Sequence, residues 1–436
     1  MENPTGIPSA ATCSHEVLQS LVADGVLSAT DCTGDDIYDL SRVADAVYGR
    51  QGVQRPVVDR LSSRYNFKTA TPNEGYLIAA ALLAEGVVYS VVTLNFDLAM
   101  TAALMQLGVG HAIGIIESPA DLPQQQAHNV FYLHRNANAA DPETWVLRSA
   151  TLQSEWKGHW EPIIASKVLS SPIVVFAGLG TPVSVLVETT SLIRTSLSTT
   201  TFFQVDPIDK SASKTFAALN IPDSAYVQMT WCAFMSELAP RVVKEVRLQL
   251  AKAITAKAKN DNLREEDPAD ILDRLEVLGL VRIGMLRATW LLHNKPYCPD
   301  NHTARALLAD IALAVCMIAR ERGVRATIAE DGLIDFERDG RVIASYVIAS
   351  GSGHHGRAAI EAELRSKRHL FDRRRFRPQG ALIAGTSDFA APPPSPPADL
   401  LQGNRENDIV VGATFLPMTH IHELRLNPAQ IAQVVP

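Results

Sequence analysis

Hydrophobic and polar positions along this chain change period several times, and the changes divide it into elements. In SHEVLQSLVADGVL, Val17, Leu18, Leu21 and Val22 recur at helical spacing behind Ser14, which predicts an amphipathic helix with Ser14 as its N-cap. Helical periodicity continues over 35–65, and TPNEGYLIAAALLAEG predicts another helix with Pro72 in its first turn and Gly86 past its end. From Val87 the pattern shortens to β-branched and aromatic runs: VVYSVVTL, HAIGII, VFYLH, PIVVFAGLG and TTFFQVD, separated by stretches long enough for helices. That alternation predicts an α/β fold on a Rossmann-like, mostly parallel sheet with helices on its faces.

Beyond Asp206 the texture changes. Residues 211–257 read as mainly helical, and the charged, Pro-terminated KNDNLREEDPAD at 259–270 is the best linker. Two domains are therefore expected, 1–258 and 259–436, as suits a chain of 436 residues. The second opens with two helical stretches, ILDRLEVLGLVRIGMLRATWLL and TARALLADIALAVCMIARERG. Strand-like VRATIAE, LIDFERD and RVIASYVIAS follow, then a charged helix at about 356–370 and ALIAG. The Pro-rich tract at 390–408 reads as an exposed loop, and IVVGATFL as a last strand.

Composition narrows the class. With 47% hydrophobic and 20% charged residues the chain is an ordinary globular protein, and its net charge of −7 excludes a protein that coats nucleic acid over its whole surface. The start MENPTGIPSA has no charged region followed by an apolar one, and Glu85 and Gly86 interrupt the longest apolar stretch, so neither a secretory signal nor a membrane span is expected and the location expected is cytoplasmic. The five cysteines, Cys13, Cys32, Cys232, Cys298 and Cys316, form no CxxC pair, so neither a disulfide framework nor structural zinc is expected.

Candidate chemistry lies where strands end, because ligands of open parallel sheets bind outside the carboxyl ends of the strands. Asn95 and Asp97 follow one strand, His134 ends another, and Gly178 and Gly180 follow a third. Each signal has a bland reading: Asn-x-Asp as a turn or cap, the histidine as structural, GLGTP as a loop without the third dinucleotide-site glycine.

Their order raises the functional reading. GIPSA near the start, TLNFD after a strand, an apolar strand ending in His, and VVFAGLG after another together resemble the sirtuin family over roughly residues 1–240, and most closely its prokaryotic antiphage-defence members. On this resemblance Gly6, Ile7 and Pro8 match the second half of the cofactor loop, and Thr93, Asn95, Phe96 and Asp97 the Thr-x-Asn-x-Asp stretch. His134 matches the catalytic histidine, followed by Arg135 where relatives usually carry glycine, and Gly178 and Gly180 match the later glycine turn. The resemblance implies NAD as substrate, Asn95 and His134 as catalytic residues, and Gly6, Ile7, Pro8, Thr93, Phe96, Asp97, Gly178 and Gly180 as cofactor-binding. No Gly-Ala-Gly-x-Ser element precedes Gly6 in this sequence, which predicts weakened NAD affinity unless an upstream start supplies it. The zinc-binding cysteine quartet of the deacylases is absent, as in the defence-associated relatives that hydrolyse NAD, so deacylation and zinc are not expected.

The C-terminal succession of helix, three strands, helix and strand is that of the restriction-endonuclease-like fold. Such nucleases hold a divalent metal with an Asp on the second strand and Glu-x-Lys on the third; here Asp335 is present, but the third strand reads ASYVIAS. A nuclease-like domain without its metal ligands and a generic α/β interaction domain are both open. Arg365, Lys367, Arg368, Arg373, Arg374, Arg375 and Arg377 form one dense basic patch, suited to nucleic acid or an acidic partner, or simply a solvated face. His354 with His355, and His420 with His422, lack a carboxylate or cysteine at a metal-ligand spacing. Two expectations follow: an NAD hydrolase whose C-terminal domain senses a trigger or holds an oligomer, or a sirtuin-like module that has lost turnover and binds NAD, ADP-ribose or nothing, joined to a degenerate nuclease-like domain for nucleic acid or a partner subunit. A homo-oligomer or an adjacent-gene product is the partner expected.

Overall fold

The computed structural model describes residues 5–110, 112–154, 160–197, 199–260, 268–290, 301–350, 361–384 apart from 363 and 367, and 416–435. The chain divides into two compact units, one made of Met1–Gln106 and Ile113–Leu238, the other of Leu107–Ala112 and Ala239–Pro436.

The first unit opens with helices α1 (Ala10–Ala23), α2 (Leu40–Gln51) and α3 (Arg55–Arg64). Ser9, not Ser14, caps α1 by accepting from Thr12 N–H. Ser14 is instead buried in the helix, where its hydroxyl donates to the Ile37 carbonyl at 3.0 Å. Val17, Leu21, Val43, Val47, Val57 and Leu61 make the core of this bundle, closed by Trp145. Helix α4 (Glu74–Ala84) is capped by Asn73, which accepts from Tyr76 N–H, so Pro72 precedes the helix rather than lying in its first turn. Gly86 follows its end at φ +65°, a left-handed conformation that glycine adopts without strain.

The expected strands then form, but as two three-stranded parallel sheets. The first has β1 (Ser90–Thr93), β3 (Asn129–Tyr132) and β2 (Gly114–Ile116) in that spatial order, with helix α5 (Ala99–Leu107) after β1. Helices α6 (Ser149–Ser154) and α7 (Trp160–Leu169) lead to the second sheet, ordered β4 (Ile173–Ala177), β5 (Thr201–Asp206) and β6 (Tyr226–Gln228), with α8 (Ser184–Ser196) and α9 (Lys214–Leu219) in the crossovers. One apolar cluster serves both sheets: Ile116, Phe131 and Leu133 from the first meet Val174, Phe176 and Phe202 from the second. Strand β6 has no counterpart among the expected strands; its three residues are too few to show a period.

Helix α10 (Trp231–Asn260) contains both the expected boundary at 258 and the observed one at Ala239. The second unit continues with α11 (Ala269–Trp290), broken at Gly279 by φ +75°, and α12 (Asn301–Arg322). Its five-stranded sheet runs β11 (Met418–His420), β10 (Gly380–Ala384), β9 (Arg341–Ser350), β8 (Ile334–Arg338), β7 (Arg325–Ile328). β7, β8 and β9 are antiparallel and β9, β10 and β11 parallel. Asp339 and Gly340, both at positive φ, turn the chain between β8 and β9 as an Asp-Gly hairpin requires. Short helices α13 (Arg368–Phe371), α14 (Ile421–Leu426) and α15 (Ile431–Val434) complete it. The final strand is Met418–His420, beyond the expected IVVGATFL, of which 409–415 lie outside the described residues. The Pro-rich tract at 390–408, residues 356–360 of the charged helix and 261–267 of the linker also lie outside them.

Candidate functional site

Strand register builds the site. In the parallel pair of β1 and β3, Thr93 lies opposite Tyr132, so Asn95 and His134 each stand two residues beyond a matched pair. Leu133 N–H donates to the Thr93 carbonyl at 3.1 Å, continuing the ladder one step. Next, His134 Nδ1 meets the Leu94 carbonyl oxygen at 3.1 Å, and Ala137 N–H reaches the Phe96 carbonyl at 2.9 Å. The two strand ends are stitched together over four residues, and the sequence-predicted Thr93, Asn95, Phe96, Asp97 and His134 converge there.

Each side chain has a definite setting. Asn95 is exposed; its backbone N–H donates to Thr93 Oγ1 at 3.1 Å and its Nδ2 to the Tyr76 hydroxyl at 2.9 Å. Phe96 stacks on Trp145 with centroids 4.5 Å apart and on His134 at 6.1 Å, giving the imidazole an aromatic floor. Burial pushes the His134 ring down to about 4, against a smaller upward pull from the Leu94 carbonyl, so it is neutral at physiological pH. A carbonyl can only accept, so Nδ1 carries the proton and Nε2 the basic lone pair. Asp97 is buried and caps α5, accepting from Ala99 N–H at 2.9 Å; burial raises its carboxyl above the usual range and the Ala99 hydrogen bond offsets part of that.

Other residues surround these, among them Tyr76 and Tyr132, which carry no signal in the sequence. Tyr76, in the first turn of α4, is held protonated by burial and then by the Asp97 charge. Tyr132 is fully buried with its hydroxyl 2.9 Å from Thr101 Oγ1, and burial raises it to about 12. Glu117 follows β2 and its Oε1 accepts from the side-chain amides of Asn136 at 2.7 Å and Asn138 at 3.1 Å. Its position directly after the apolar GII is the one hint the sequence held. Arg135 adopts φ +69° and its guanidinium lies over the Trp160 ring and 3.8 Å from the buried Glu161.

The remaining expected residues sit at other edges of the unit. Gly6 has φ +73°, Ile7 packs on the bundle cluster that Phe96 also borders, and the Pro8 carbonyl accepts from Cys13 Sγ at 3.7 Å. Gly178, at φ +66°, and Gly180 end β4 in the second sheet, and a side chain built on either would meet nothing within 4 Å. Leu179 between them and Leu94 before Asn95 pack against one shared cluster.

In the second unit, Asp335 on β8 is buried and taken up by protein partners. Its Oδ1 accepts from the Ser345 hydroxyl at 2.6 Å and its Oδ2 from Arg374 Nη2 at 2.8 Å. Arg374 thus leaves the expected basic surface: it is also 3.3 Å from Asp331, and Nη1 donates to Ser345 at 3.1 Å. Arg365 pairs with Glu361, and Arg368 and Arg377 with Asp372, while Arg373 and Arg375 are exposed. Lys367 lies outside the described residues, as do His354, His355 and the side chain of His422. Among the described residues no group of three or more His, Cys, Asp or Glu could hold a metal ion, and no helix is long and apolar enough to cross a membrane.

No protein-family model matches this chain, and no curated protein matches it at a significant level.

Proposed function

We propose that the first unit is a sirtuin-like, Rossmann-type NAD-hydrolysing domain, acting in the cytoplasm as an antiphage defence effector that depletes NAD. The observation that carries this reading is the register of β1 and β3, which brings His134 Nδ1 to the carbonyl of Leu94, the residue before Asn95, with Thr93, Phe96 and Asp97 in the same turn. Arg135 adds to it, since φ +69° is the conformation that suits the glycine usually found there in sirtuins.

The exposed Asn95 amide, the neutral His134 imidazole and the open Gly178–Gly180 turn, all at strand ends, are compatible with NAD as substrate, although no Gly-Ala-Gly-x-Ser element is present in this sequence to hold its pyrophosphate. NAD supplies the N-glycosidic bond, which breaks through an oxocarbenium-like ribose while a water adds and nicotinamide leaves. His134 Nε2 takes a proton from that water or from a ribose hydroxyl. Asn95 orients the ribose or the water and, being an amide, does not compete as a nucleophile. Asp97 holds the turn and the nicotinamide side, and Gly178 and Gly180 admit the adenosine side. Gly6, Ile7 and Pro8 border the cofactor just before α1.

A second reading has its own support: the chain is a binding module whose nuclease-like second unit recognises nucleic acid, a second copy or another subunit. The Arg374 guanidinium on Asp335 favours it, because a cation already occupies the carboxylate that a nuclease would give to its metal.

The deciding experiment is NAD consumption with nicotinamide release by the full chain and by Asn95→Ala and His134→Ala. The enzyme reading expects losses of about 10²-fold or more in kcat for His134→Ala, the usual yield of a general base. Equal rates in all three proteins would remove the catalytic assignment.

A further inference from the structure

The strand-end turn leaves Asn95 exposed, and an exposed amide has no rotamer of its own to keep; one side chain outside the turn supplies the restraint. Tyr76 Oη receives Asn95 Nδ2–H at 2.9 Å across 19 residues of sequence. Tyr76 is in turn fixed from two directions. Its backbone N–H is bound by the Asn73 cap at 3.1 Å. Beside it, the Trp231 indole lies so close over Gly75 that an added Cβ would come within 2.5 Å of Nε1. The first turn of α4 therefore has little freedom, and its phenol stays a neutral hydroxyl because burial and the nearby Asp97 carboxylate both oppose ionisation.

We propose that Tyr76 is the positioning residue for Asn95, its hydroxyl oxygen engaging the amide NH₂ so that Asn95 Oδ1 is the atom presented to the ligand. This rests on the NAD-hydrolase reading for its kinetic consequence, though not for its geometry. A carbonyl oxygen at that point accepts the O–H of the attacking water or of a ribose hydroxyl and so leaves that oxygen's lone pairs for attack; the reversed amide would instead donate its N–H to those lone pairs. Asn95 acts on the substrate, and Tyr76 acts only through Asn95. Nothing in the sequence marks Tyr76, which stands at the start of an Ala-rich helix.

The experiment is a double-mutant cycle read by two methods. Tyr76→Phe keeps the ring and removes the hydroxyl. It should lower kcat for nicotinamide release about tenfold, the worth of one hydrogen bond at the transition state, with KM nearly unchanged. In the Asn95→Ala background the same substitution should change nothing further. Separately, the Asn95 side-chain NH₂ resonances, identified by their loss in Asn95→Ala, should shift in Tyr76→Phe. Equal further losses in both backgrounds would overturn the positioning role, as would unmoved amide resonances. If the wild-type chain released no more nicotinamide than Asn95→Ala, the NAD-hydrolase reading would fall. The resonance shift would then decide the Tyr76–Asn95 geometry by itself.

Discussion

His134 Nδ1 stands 3.1 Å from the Leu94 carbonyl oxygen, across 40 residues of sequence, and this contact joins the end of β3 to the residue before Asn95. It also fixes which ring nitrogen is basic, since a carbonyl accepts only from Nδ1–H and leaves the lone pair on Nε2.

A pH dependence follows from the same ring. Its pKa is lowered to about 4 in the folded protein against an unperturbed 6.5, so the unfolded chain binds a proton the folded chain refuses. The stability this histidine contributes is full above about 6.5 and is lost as pH falls towards 4. Thermal unfolding of wild type should therefore drop across that window, and His134→Gln should flatten the drop. Nicotinamide release should hold its rate down to about pH 5, because the base remains unprotonated there. A wild-type profile with its acid limb near 6.5 would contradict the buried setting of the ring.

Asp97 behaves in the opposite sense. Burial raises its carboxyl, so the stability it offers is present at low pH and is lost as pH rises through the folded pKa. Asp97→Asn should therefore keep or raise Tm at neutral pH, since the amide still caps α5 without the desolvated charge. Asp97→Ala should cost about 1 kcal/mol through loss of the cap. Scanning calorimetry of the three proteins checks both signs, and a large drop in Tm for Asp97→Asn would show that the charge itself is stabilising.

Arg374 and Asp335 give the sharpest prediction for the second unit. Arg374→Met strands a buried carboxylate with only the Ser345 hydroxyl beside it, which should cost about 3–5 kcal/mol. Asp335→Asn combined with Arg374→Met should recover most of that, because no charge is then left buried. Urea unfolding measures both; a single variant costing under about 1 kcal/mol would mean the pair is solvent-screened.

The basic surface reduces to a test on Arg373 and Arg375, which are exposed and distinct from the inward Arg374. Reversing both to Glu should leave unfolding unchanged. If the patch contacts duplex DNA, the slope of log affinity against log salt should flatten by about two units, close to one per lost phosphate contact. Unchanged salt dependence would return these arginines to ordinary solvated surface.

Much of the architecture was legible in the chain. Alternation of β-branched runs with helical periods marked β1 to β5 and β7 to β10, polar residues at the ends of apolar runs marked Asn95, Asp97 and His134, and the likeness of the C-terminal element order to a nuclease fold marked Asp335. Those signals are local: a period of two or 3.6 residues reports what one segment buries, and a strand's end reports where the chain leaves the core. Helix caps were less legible, as Ser9 and Asn73 show, because Ser14 and Pro72 offered equally good local chemistry. Which polar residues share a site depended on pairings between distant segments. β3 enters between β1 and β2, and only that order sets His134 against Leu94. Tyr76, Glu117 and Arg374 came to their partners the same way, from a helix turn, a strand end and a loop that no spacing rule connects. Sequence by itself determined the α/β elements and the polar strand ends of this protein. The tertiary structure alone decided which of them meet, because sheet order and the close packing of apolar faces are set by complementarity across the whole core rather than by any one segment.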